Sequence, residues 1–174
     1  MGQFVPDLSL TSPNMVISLI NHDLQLNLQE NEVEISEVKI SDEMDRDTTA
    51  VVKIKRPGNR TLQIYYNRLT AERWLNQQPI LVKVSGNGFT THDLIEAINS
   101  VCSSNLLPDD LINETFTLGK DAVTLKVSPE SLGYKGQFSV LVFGKKEVPF
   151  VTKKGELIVT ADNRVLIYGG INEE

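Results

Sequence analysis

Only one stretch of this chain spaces its apolar residues as a full α-helix does. Leu94, Ile98 and Val101 fall at i, i+4 and i+7, and Ile95 and Cys102 widen the stripe. Thr90 and Asp93 approximate a capping box at its start, with aspartate in the usual glutamate place. The pattern predicts a helix over about residues 91–103. Elsewhere apolar residues come in short runs broken by Pro, Gly and Asn, which is how strands and turns are written. Such a chain folds as a mainly β protein with one packed helix.

The strands read as follows. Residues 15–20 form a short apolar run between Pro13-Asn14 and Asn21-His22-Asp23. Residues 32–40 change apolar phase between Ile35 and Val38, which predicts a bulge. Residues 49–55 and 61–68 flank Arg56-Pro57-Gly58-Asn59-Arg60, a turn with proline for φ and Gly or Asn for left-handed backbone, and together they predict a hairpin. Residues 70–77 make a short helical turn anchored by Trp74 and Leu75, and residues 80–84 a strand. Leu107-Pro108 opens a further turn with proline in its first position. Residues 115–118, 122–127 and 137–143 are strands, and residues 156–160 and 164–168 pair as a terminal hairpin about Ala161-Asp162-Asn163. The strand, Pro/Gly turn and aromatic strand of the first half recur in the second as a pattern too loose to be called a repeat.

Composition narrows the function classes. The 174 residues carry 17 Lys and Arg against 23 Asp and Glu, a net charge of −6, which disfavours a general nucleic-acid binder. One cysteine and two histidines leave no disulfide framework and no Cys/His zinc set within one chain. No apolar run is long enough for a bilayer. The first residues, Met1-Gly2-Gln3-Phe4-Val5-Pro6, lack the basic and apolar regions of a secretory signal, so synthesis in the cytoplasm is expected. Charge is segregated: residues 21–50 hold nine acids and two bases, 51–90 seven bases and one acid, and 91–118 five acids and no base. Such blocks are either solvated faces or contact surfaces between copies.

Searches for chemistry return no catalytic, cofactor-binding or metal residues. Asp42-Glu43-Met44-Asp45-Arg46-Asp47 lacks the glycine and the closing glutamate of a calcium loop. His22 adjoins Asp23 and His92 adjoins Asp93, but adjacency in sequence supplies no converging nucleophile. Cys102 falls on the helix's buried stripe as a small hydrophobe. Gly86-Asn87-Gly88 matches neither phosphate-binding spacing. Lys53, Lys55, Arg56 and Arg60 precede Tyr65 and Tyr66, whose rings point to opposite faces of a strand and so form no stacking platform. Asn59-Arg60-Thr61 and Asn113-Glu114-Thr115 fit the glycosylation pattern only by chance.

Four segments in this order, Val16-Ile17-Ser18-Leu19-Ile20-Asn21-His22-Asp23, Ile64-Tyr65-Tyr66-Asn67-Arg68-Leu69, Asn105-Leu106-Leu107-Pro108-Asp109-Asp110-Leu111-Ile112 and Gly133-Tyr134-Lys135-Gly136-Gln137-Phe138-Ser139-Val140, resemble small virion structural proteins of large tailed bacteriophages. The resemblance spans roughly residues 15–144. It implies an antiparallel, immunoglobulin-like β-sandwich, a building block of tail, baseplate or head surface. No catalytic residue or cofactor comes with it. Its partners are other virion proteins and copies of itself, with no nucleic acid, membrane or small-molecule substrate, and it resides in the virion. The expected organisation is an N-terminal arm over 1–14, the sandwich domain over 15–144, and a linker with a C-terminal β-hairpin over 145–174. Both ends are expected to bind neighbouring subunits. A ligand- or carbohydrate-binding surface module is the alternative, with Trp74 and four tyrosines as its available aromatics.

Overall fold

A computed structural model of the chain describes residues 5–56, 58–77, 79–119, 122–144, 147–149, 158 and 167–169. The fold is mostly β, in several small sheets, with few helices.

The first element departs from the sequence reading. Residues 15–20, expected as a strand, lie within helix α1, Ser12–Leu24, with Pro13 in its first turn and left-handed Gln25 (φ 53°) ending it. A continuous apolar run is ambiguous between strand and buried helix, and α1 is buried on two sides. Met15 enters one core while Val16, Ile17 and Ile20 enter another. Residues spread over two faces leave no single amphipathic stripe to read.

Beneath α1 lies an antiparallel meander of β1 (Val33–Ile40), β2 (Thr48–Ile54) and β3 (Arg60–Tyr66). Thr48, Ala50, Val52 and Ile54 alternate as the buried face of β2. They join Val16, Ile17, Ile20, Leu28, Val33 and Tyr66 around one core. The expected bulge is present: the β1–β2 register shifts between Ser36 and Lys39, and Glu37 has φ 50°. The β2–β3 hairpin pairs Thr48 with Tyr66 through to Ile54 with Arg60, closing over Gly58 at φ 105°.

The second half builds another core. After β4 (Leu69–Thr70) and the short α2 (Ala71–Leu75), β5 (Leu81–Val84) runs to β6 (Gly88–Thr90). The predicted helix follows as a 3₁₀ turn, His92–Leu94, and then α3, Ile95–Cys102. Asp93 accepts hydrogen bonds from the Thr90 backbone and hydroxyl, both at 2.7 Å, as a capping box requires. β7 (Thr115–Thr117) pairs with β6 and stacks Phe116 on Phe89 at 5.7 Å. β8 (Val123–Lys126), β9 (Tyr134–Lys135) and β10 (Gln137–Gly144) complete the unit. β10 takes β8 antiparallel on one side and β5 parallel on the other, and β4 pairs parallel with β9. These parallel pairs, like α1, depart from the expected antiparallel sandwich with one packed helix, although most of the strand pairs are antiparallel. Each parallel pair joins strands far apart in sequence, with helical segments in the chain between them, rather than strands linked by a tight turn.

The two halves repeat one device at constant spacing. Asn21 in α1 accepts from the Leu28 amide and donates to its carbonyl, at 2.7 and 3.0 Å. Asn99 in α3 does the same to Leu106, at 2.8 and 3.0 Å. The neighbouring isoleucines, Ile20 and Ile98, are buried in their respective cores, as are Leu28 and Leu106. Each helix then closes on a left-handed residue, Gln25 or Ser103. A 3₁₀ turn follows in both, Glu30–Glu32 and Pro108–Asp110. Its last acid accepts from the backbone amide before the turn in each case: Glu32 from Gln29, Asp110 from Leu107, both at 2.9 Å. These two helix-and-turn segments are an internal structural repeat, and they lie on residues other than the strand–turn–strand pattern that echoes in the sequence.

The expected boundary between residues 14 and 15 falls inside α1. Leu8 and Leu10, placed by the sequence in a neighbour-binding arm, pack on the protein's own larger core. β11 (Glu147–Pro149) pairs antiparallel with β12 (Ile167–Gly169). The expected hairpin of residues 156–168 otherwise lies outside the described residues, apart from exposed Ile158.

Candidate functional site

The two cores meet where α1 crosses the segment Ser128–Lys135. Gly133 is the point of closest approach: a Cβ there would stand 2.6 Å from the Met15 methyl and 2.8 Å from Ser12 Oγ. Only glycine lets the loop in so far. Gly136 (φ 86°) then turns the chain into β10. The Gly133-Tyr134-Lys135-Gly136 motif is thus a packing device.

Asp110 is the polar centre of this joint. It is 3 % exposed, and its Oδ1 accepts from Ser12 Oγ and Ser131 Oγ, each at 2.6 Å. With the Leu107 amide on Oδ2, one buried carboxylate ties α1, the 3₁₀ turn and the loop together. A second node lies on the meander side. Arg68, 8 % exposed, donates through Nη1 to the carbonyls of Pro129 and Ser131, at 3.0 and 3.2 Å. Tyr66 donates to the Leu132 carbonyl at 3.0 Å. Asp47 accepts from Lys135 Nζ at 2.7 Å, from Thr48 Oγ1 at 2.6 Å and from the Arg68 amide at 3.1 Å. Partial burial works to raise the Asp47 pKa, but these donors outweigh it and hold the carboxyl below its ordinary value. Burial pushes the Tyr66 and Tyr134 hydroxyls well above the ordinary tyrosine range. Both rings serve as structure rather than as acids.

Beside the Asp110 node opens a cleft of about 460 Å³, walled by Pro13, Leu107, Pro108 and Leu132 and edged by Asp109, Asn113 and Glu130. Its volume suits a small ligand or a side chain of a partner. Ser12, Asp110, Ser131 and His92 all line it. The serine hydroxyls donate straight to the carboxylate, an arrangement that fixes them as structural donors rather than activating them through an imidazole.

Of the residues singled out in the sequence, His92 lines the cleft, and the others fall elsewhere or into packing. His22 Nδ1 lies 2.8 Å from Asp23 Oδ1 on the surface. Cys102 Sγ donates to the Leu75 carbonyl at 3.4 Å, and burial raises its pKa away from the reactive thiolate. Asn87 is bonded by the Leu118 amide, so Gly86-Asn87-Gly88 joins β5 to β6. Tyr66 is buried and Tyr65 half-buried on opposite faces of β3. Among the described residues no group of three or more His, Cys, Asp or Glu is placed to hold a metal ion, and no helix is long and apolar enough to cross a membrane.

The charge blocks meet in part within the chain. β1 is acidic, β2 and its turn are basic, and pairing brings Lys55 to 3.8 Å from Glu34 and Arg56 to 2.8 Å from Glu32. The Arg56 hydrogen bond, helped by the Gln29 amide, pulls Glu32 down to about 2. The sequence missed Ser12, Asp110, Ser131, Gly133 and Arg68 as one site because they converge only in three dimensions.

No curated protein and no solved structure matches the chain. Over residues 5–154 it matches the model of the family of unknown function DUF7941, and it belongs to that family.

Proposed function

We propose that the chain is a non-enzymatic structural component of a tailed-phage virion, in tail, baseplate or head surface, which assembles with copies of itself and other virion proteins. One observation supports this reading above the rest. The residues that carry the resemblance, Asn21, Tyr66, Leu106, Asp110 and Gly133, are all spent on packing and on locking the two repeats together. A part whose most distinctive residues are architectural has architecture as its task. The immunoglobulin-like sandwich belongs to the same proposal. The alternating β1-β2-β3 meander favours it, and the two separate cores and the parallel β5–β10 pair weigh against it.

Mass spectrometry of purified particles from the source of this gene tests the reading. Stoichiometric presence of the chain supports it, and absence from intact particles overturns it. A fragment ending at residue 145 adds a second arm: it folds with near-wild-type stability and fails to enter particles if residues 146–174 bind neighbours.

The 460 Å³ cleft is the specific observation favouring the second reading, a ligand-binding module. Its walls are proline and leucine, whereas a sugar-binding platform uses aromatic rings.

A further inference from the structure

Exposed large apolar side chains gather at the two ends of the meander. At one end the β1–β2 connection presents Ile40, 81 % exposed, and Met44, 76 % exposed. Asp42, Glu43 and Asp45 surround them, with Met44 and Asp45 both in left-handed backbone. At the other end Leu24 is 49 % and Leu26 39 % exposed. There Leu26, Leu28 and Ile54 floor a pocket of about 200 Å³, rimmed by Arg56, Asn59 and Arg60. The pocket has room for one large aliphatic side chain. Arg60 is exposed and makes no ion pair among the described residues. β2 runs from one end to the other, so knob and pocket stand roughly 20 Å apart on one molecule and cannot meet within it.

The internal repeat indicates what such a pocket takes. In the second half, the segment equivalent to Leu26-Asn27-Leu28 is Ser104-Asn105-Leu106. There the Asn105 amide donates to the Leu8 carbonyl at 3.0 Å, and Leu8 packs on the core. A segment from outside the repeat thus bonds to the backbone there in the second half, while Leu26 remains exposed in the first.

We infer that Met44, with Ile40 beside it, docks into the Leu26–Leu28–Ile54 pocket of a second copy of this chain, its acids meeting Arg60. Knob and pocket lie at opposite ends of β2, and the contact is inferred to be head-to-tail, propagating into a ring or filament rather than exchanged reciprocally between two copies. This deepens the reading of the chain as an assembling subunit and rests on it for its setting. Sedimentation of the purified chain tests the contact, whereas particle composition tests that reading, so either can fail alone.

The experiment uses full-length protein, Met44→Asp and Arg60→Glu, with circular dichroism and thermal midpoints to verify that these exposed substitutions leave the fold intact. Wild type sediments as a concentration-dependent series of oligomers that shortens as salt is raised. Each variant alone is monomeric. An equimolar mixture forms a 1:1 dimer and nothing larger, because only the Arg60→Glu chain keeps a working knob and only the Met44→Asp chain keeps a working pocket. A wild type monomeric at millimolar concentration overturns the inference. So do variants that associate as wild type does, a mixture that stays monomeric, or a wild type that stops at a dimer, which is what a reciprocal two-fold contact predicts.

Discussion

Gly133 faces Ser12 so closely that a β-carbon on the glycine would stand 2.8 Å from the serine hydroxyl and 3.2 Å from its Cβ. The Met15 methyl, though nearer, ends a flexible side chain and can swing aside. Ser12 cannot, because Asp110 holds its hydroxyl at 2.6 Å. Gly133→Ala is therefore expected to destabilise the chain by about 1–3 kcal/mol, the usual cost of overpacking. Urea denaturation checks this, and an unchanged midpoint would mean that α1 and the loop are not in contact.

Asp110→Ala removes one acceptor and leaves Ser12, Ser131 and the Leu107 amide without a partner. Orphaned buried donors cost about 1–3 kcal/mol each, so a loss of several kcal/mol is expected. Asp110→Asn keeps an acceptor and should lose less. Equal losses for the two variants would count against the hydrogen-bonded node.

The repeat makes a paired prediction. Asn21→Ala and Asn99→Ala each remove two hydrogen bonds to a leucine backbone, and each is expected to cost about 1–3 kcal/mol. In native-state hydrogen exchange the Leu28 amide loses protection in the first variant and the Leu106 amide in the second. If only one asparagine matters, the halves are not equivalent.

Ile98 has no exposed surface in the second core. Ile98→Asp places an unpaired charge there, and the expected loss of more than about 4 kcal/mol removes cooperative unfolding. A wild-type thermal midpoint would put α3 on the surface.

Glu32 supplies a pH dependence. Its folded pKa of about 2 lies below the ordinary 4.5, so its contribution is fully present above pH 4.5 and is lost as pH falls toward 2. Asp47, also lowered from 3.8, acts in the same direction over the acid range. Thermal midpoints measured from pH 6 to pH 2 should fall, and Glu32→Gln should flatten part of that fall. A variant with the wild-type slope would exclude the Glu32–Arg56 pair as a contributor.

What the sequence disclosed followed local rules. The Thr90–Asp93 cap, the bulge near Glu37, the turn at Gly58 and the proline-led turn at Pro108 all depend on residues a few positions apart, and each stands where its residues predict. Helix α1 was hidden because Met15 and Val16 serve different cores, which erases the periodicity that marks a one-faced helix. The joint was hidden for another reason: Ser12, Arg68, Asp110 and Ser131 come from four separate segments, and no local pattern announces a long-range convergence. The repeat was hidden because its signature is two polar residues, Asn21 and Asn99, among apolar neighbours that differ between the halves.

The contact of Met15 and Ser12 with the segment around Gly133 has a consequence for synthesis. The meander under α1 is complete once Tyr66 has been made, and the first core can close then. Met15 and Ser12 point out of that core, toward a loop not yet translated. At about 5–20 residues per second, their seat emerges on the order of ten seconds later. Through that interval the nascent first half carries an uncovered methionine and serine along one side of its helix, and the arrival of Gly133 seals it.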